Sequence, residues 1–213
     1  MSRSTGHAAS LAPEPQRLPL PPYSYVPGHE HPHPVTDPRG HLHGRTPAAP
    51  LSPEFVTQLP VDPGSRRHVL AAALAAHPGW LHAVELFNQG YYWESHEAWE
   101  RFWHALGRSS PEARCVQGLI RLAAAGVKIR EGCAAGVRRH AERGRELLGD
   151  LSAERGGDVR SRRSAALGLD PESIVRVLAE LNDYRPACWH TSRTPVVRVL
   201  AADLRLVGGD LGP

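Results

Sequence analysis

The sequence predicts an all-α fold: a small up-and-down helical bundle with an extended Pro/His-rich N-terminal arm and a short C-terminal extension. Three observations predict it. Fourteen of the 20 prolines and six of the 13 histidines fall within residues 1–63, so helix-forming sequence begins only after them. From Ser65 onward, apolar residues recur at three- and four-residue spacing. Several of these runs open on a capping residue followed by proline and close on glycine. At 213 residues the chain has room for one core and an appendage. It divides into an arm and linker over 1–64, partly disordered, a bundle over 65–185, and an extension over 186–213.

Residues 1–18 are short of large apolar groups until Leu18 and are expected to be disordered. Leu18 to Gly28 carries two leucines and two tyrosines spaced by prolines, which suits an ordered strip lying against a domain surface. His29, His31, His33, His41 and His43 follow in a His-rich tract. Residues 44–64 have the turn chemistry of a linker, and a short helix is expected over 65–76.

His77-Pro78-Gly79 opens the first strong helix, whose Trp80, Leu81, Val84 and Phe87 run to about Gln89, with Gly90 as its stop. A second helix spans about Tyr92 to Leu106 and ends near Gly107. Ser110-Pro111 caps a third, carrying Val116, Leu119, Ile120, Ala123 and Val127 to Arg130, with Gly132 behind it. A fourth covers Ala134 to Leu151, and Asp170-Pro171 opens a fifth running to Asn182. Pro195 to Leu200 reads as a short extended piece.

Charge and cysteine usage narrow the function classes. A formal charge of +3, with Lys128 the single lysine, is too small to require a nucleic-acid partner. Cys115, Cys133 and Cys188 form no CxxC pair, which argues against a zinc ribbon and a disulfide framework and favours a reducing interior. No apolar run reaches the roughly 18 residues of a membrane span, so the expectation is a cytoplasmic protein with a small-molecule substrate and no membrane partner.

The chemistry concentrates between Glu85 and Trp103. On a helical wheel His96, Glu97 and Glu100 share one sector, Tyr92, Trp99, Phe102 and Trp103 fill the adjacent arc, and Glu94 and Arg101 point away. An imidazole and a carboxylate four residues apart reach one divalent ion from one helix face, and Glu97 between them is a further ligand or a base. Such mixed nitrogen and oxygen donors suit Zn, Mn or Fe. Gln117, Arg121 and Lys128 lie on one stripe of the third helix, where Gln117 can face this sector and the two cations point to solvent or pair with Glu. His140, among arginines, is expected to be exposed. If the arm docks on the bundle, His33 or His41 can complete the ligand set.

Phe87-Asn88, Gly90, Tyr92, Glu94, His96-Glu97, Glu100 and Trp103, followed by Gln117-Gly-Leu-Ile-Arg-Leu-Ala123, Gly132 and Gly136, resemble domain-of-unknown-function family 309, described as predicted metal-dependent hydrolases. The resemblance covers about residues 78–150. It implies an up-and-down bundle in which His96, Glu97 and Glu100 are the signature polar residues. The arm, from Pro21-Pro-Tyr to Gly40-His41, is similar to an extension carried by one subgroup. Two positions depart from the family: Cys133 stands where Asn is common, and Arg121 where Gln is.

Three functions follow. In the first, a divalent-metal hydrolase, His96 and Glu100 hold the ion while Glu97 binds it or takes a proton from water. In the second, a non-catalytic structural or protein-binding bundle, the His/Glu cluster is a packing network. In the third, the Arg-rich stretch 138–163 binds nucleic acid or an acidic protein.

Overall fold

The computed structural model describes residues 18–45, 50–149, 166–184 and 194–207. The disorder expected over 1–18 falls almost wholly outside them, as do Cys188 and the Arg-rich stretch beyond residue 149. Among the described residues there are seven helices and no strand: α1 (Pro53–Gln58), α2 (Pro63–Ala75), α3 (Pro78–Asn88), α4 (Tyr92–Ala105), α5 (Pro111–Arg130), α6 (Ala134–Leu148) and α7 (Pro171–Asp183). None is by itself long and apolar enough to cross a membrane.

Five of the seven begin with proline directly after a capping side chain. Proline suits this first position because its φ is preset and its missing N–H would have no partner there anyway. Ser52, Asp62, Ser110 and Asp170 each accept a backbone N–H of the first turn, and His77 does so through Nδ1 to the Gly79 N–H at 3.1 Å. The linker expected over 44–64 therefore needs correcting: Pro53 and Pro63, taken there as turn residues, start helices.

Successive helices pack on one another, α3 on α4, α4 on α5 and α5 on α6, with α7 against α6 and α5. α5 is the central helix, burying Val116, Leu119, Ile120, Ala123, Val127 and Ile129. Trp80, Phe87, Trp99 and Phe102 form the aromatic centre between α3 and α4, with Trp80 and Phe102 edge to face at 5.2 Å.

Residues 194–207 run extended across the bundle. Outside a single antiparallel bridge between Leu206 and Leu169 and the bond from the Ser24 N–H to the Pro195 carbonyl, its backbone needs other partners, and side chains supply many of them. Asn88 both donates to the Leu204 carbonyl and accepts from its N–H, at 2.8 and 2.9 Å. The Glu180 carboxylate accepts from Ala201 and Ala202, and the buried Tyr92 hydroxyl accepts from Val199 and Leu200, both at 3.0 Å. The segment crosses so close to Gly90 that a Cβ there would lie 2.8 Å from the Val197 carbonyl oxygen, and Gly90 has φ +90°. Glycine meets both demands. Tyr92→Phe will leave two N–H groups without an acceptor and cost about 1–3 kcal/mol, read as a lower denaturant midpoint with faster amide exchange at Val199 and Leu200.

Candidate functional site

α4 turns Tyr92, Ser95, Trp99 and Phe102 inward and leaves His96, Glu97 and Glu100 along its opposite edge. Ser95 is buried yet satisfied, its hydroxyl donating to the Ala83 carbonyl at 2.9 Å. His96 Nδ1 lies 3.6 Å from Glu97 Oε1, and Nε2 lies 3.9 Å from Glu100 Oε1. One ligand atom from each of the three falls within 4.8 Å of the others. Their side chains are 26, 38 and 37% exposed, so the group is neither sealed in the core nor spread into open solvent. Nδ1 of His96 is shut away from water and has no hydrogen-bond partner. The wheel is right about this sector.

Arg101, half-buried, lies close enough to Glu97 for their charges to interact. His140 reaches the same region from α6. The exposure expected for it is wrong: it is half-buried, and burial, reinforced by Arg121, Arg139, Lys128 and His96, pushes its pKa down to about 4. The packing explains this placement. A Cβ on Gly136 would lie 2.8 Å from the Lys128 side chain, and one on Gly144 would lie 3.6 Å from Arg121 Cβ. His140 stands four residues from each glycine, so it faces α5 between Arg121 and Lys128. Lys128 is paired with Glu131, Nζ to Oε2 at 2.6 Å. Gln117 and Arg121 are part-buried on the same α5 stripe.

The arm is ordered over its described residues and docks on α4, but not where the ligand-completion idea requires. Glu94, expected to point away from the chemistry, is buried beneath the arm and accepts the Tyr25 N–H on Oε1 at 2.9 Å. His41 Nε2 lies 3.8 Å from the same oxygen, and His33 packs edge-on to Trp93 at 5.3 Å. Burial pushes the Glu94 pKa up to about 7, opposed by the Tyr25 N–H and the Ser24 side chain. His31 and His41 flank the ring of Tyr23, whose hydroxyl donates to the Pro32 carbonyl. Neither His33 nor His41 joins the His96 group; these histidines pack the arm together and fasten it to Trp93 and Glu94.

Sequence reasoning thus missed Glu94 and His140. A signal for Glu94 was present: a proline-spaced strip leaves bare backbone donors, and an acidic residue between Trp93 and Ser95 at the start of a helix is a ready acceptor. Comparison with known proteins is narrow. No curated protein and no solved structure matches the chain. Residues 80–140, which carry α3, α4, α5 and the first half of α6, match the family described as domain of unknown function (DUF309).

Proposed function

We propose that His96, Glu97 and Glu100 hold a divalent transition-metal ion and that the protein is a metal-dependent hydrolase acting on a small molecule. The observation that carries this reading is the convergence of three donor atoms within 4.8 Å on a part-exposed helix edge. The donor set fits Zn, Mn or Fe: one imidazole with an unpartnered, water-excluded nitrogen and two carboxylates. Three ligands from the protein leave the remaining positions for water and substrate.

Such an ion, when bound, polarises an oxygen and acidifies water. His96 and Glu100, one turn apart, supply the fixed ligands. Glu97, between them, would either join the ligand set or take a proton from water. Arg101 lies close enough to Glu97 for their charges to interact. The partial exposure of the three side chains separates them from a packing network, a role that buried Glu94 fills instead.

The test is metal content in protein purified without an affinity tag and incubated with Zn, Mn or Fe. A stoichiometric ion is expected in the native chain and is lost in His96→Ala, with the helical circular dichroism of both unchanged. A native protein that takes up none of the three metals would falsify the metal reading.

A further inference from the structure

α4 carries the triad, yet its start is built differently from most of the other helices. Tyr91 stands at the N-cap position and makes no side-chain capping bond, whereas α1, α2, α3, α5 and α7 each have one. An uncapped first turn keeps unmatched backbone donors and frays unless something outside the helix holds it. For α4 the hold comes from distant parts of the chain. The Tyr92 hydroxyl accepts from the Val199 and Leu200 N–H groups, and the Ser95 hydroxyl donates to the Ala83 carbonyl. Between these two, Trp93 and Glu94 are held by the arm. The rings of Tyr25 and His33 meet Trp93 edge to face at 5.4 and 5.3 Å, and the Tyr25 N–H donates to Glu94 Oε1 at 2.9 Å.

The turn gripped by the arm is the one beneath the triad. Trp93 stands three residues before His96 and four before Glu97, which places each of them beside it with Cβ atoms about 5–6 Å apart. Helical side chains lean toward the N-terminus, so His96 and Glu97 lie over the turn that carries Trp93. Chelation freezes both side chains at once, and the freedom lost is smaller where the turn beneath is already fixed. Undocking the arm takes from Trp93 both ring neighbours and from Glu94 its donor. The uncapped start then frays toward the ligand positions.

We infer that the N-terminal arm is a regulatory clasp for the metal centre: the His96–Glu97–Glu100 group holds its ion tightly only while Tyr25 and His33 are seated on Trp93. The inference rests on the metal reading above and assigns the regulation of that site. Linkage makes the effect reciprocal, so the ion in turn tightens the docking of the arm by the same factor.

The probe is whichever of Zn, Mn or Fe the native chain takes up, its dissociation constant measured by competition with a chromophoric chelator. Replacing both arm rings, Tyr25→Ala with His33→Ala, should raise that constant about tenfold or more, with the helical circular dichroism unchanged. Tyr25→Phe keeps the ring and the backbone donor and should bind the ion as the native chain does. In the native protein, which needs no variant to fold, saturation with the ion should slow amide exchange at Tyr25 by a similar factor. Native affinity in the double variant, affinity in Tyr25→Phe as weak as in the double variant, or exchange at Tyr25 indifferent to the ion would each overturn the coupling and leave the metal site standing. Failure of the native chain to bind any of the three ions would overturn both.

Discussion

Gly126→Ala is expected to destabilise the protein by about 3 kcal/mol, although alanine is the better helix former by about 1 kcal/mol. Gly126 lies in α5, where a Cβ would sit 2.5 Å from Cγ of the Tyr92 ring. That ring cannot move aside cheaply: it is 1% exposed, packed edge-on to Phe87 at 5.4 Å, and its hydroxyl is held by the Val199 and Leu200 N–H groups. Either α4 separates from α5 or the ring lets go of the extended segment. Denaturant unfolding should show a lower midpoint for Gly126→Ala, and Gly126→Ala combined with Tyr92→Phe should cost less than the sum of the two, since both loosen one contact. A stabilised Gly126→Ala would show that the helices have slack at this crossing.

Glu94 produces the second large effect, and its sign depends on pH. The pKa rises from the ordinary 4.5 to about 7 on folding. Between those values the folded protein binds more protons at this group than the unfolded chain does, so its contribution to stability falls as pH rises across the window. At the upper end it amounts to about 3 kcal/mol relative to the lower. Below the ordinary value both states are protonated and the effect vanishes. Glu94→Gln should remove this pH dependence while keeping an acceptor for the Tyr25 N–H, so it should be more stable than the native protein above neutrality. Glu94→Ala removes the acceptor as well and should release the arm, seen as a shift in Trp93 fluorescence. If Glu94→Gln unfolds with the native pH dependence, another group takes up the proton.

Much of the bundle was legible in the sequence because its determinants are local. The starts of α3, α5 and α7 are written in His77-Pro78, Ser110-Pro111 and Asp170-Pro171, and the structure caps each helix with the side chain named. Pro53 and Pro63 carry the same signal but stand in a proline-rich background, where the residue's role as helix breaker masks its role as helix opener. The triad was legible because positions 96, 97 and 100 share a face whatever the helix packs against. The burial of Glu94 and the placement of His140 were not, because each depends on a partner far away in the chain. Tyr25 covers the first, and close approach of α6 to α5 through Gly136 and Gly144 draws in the second.

The Ser24 N–H donates to the Pro195 carbonyl at 2.9 Å, and Arg130 reaches the neighbouring Thr194 carbonyl at 3.0 Å. Contacts among α3 to α6 join neighbours in sequence and form quickly, whereas this one must wait for a much larger loop to close. During biosynthesis the four helices and the arm that covers Trp93 and Glu94 are therefore complete while the Ser24 N–H still lacks its Pro195 partner. Only when the ribosome has delivered the residues around Pro195 can both flanks fasten together, making that strap the last part to acquire native protection and the first that proteases would find open.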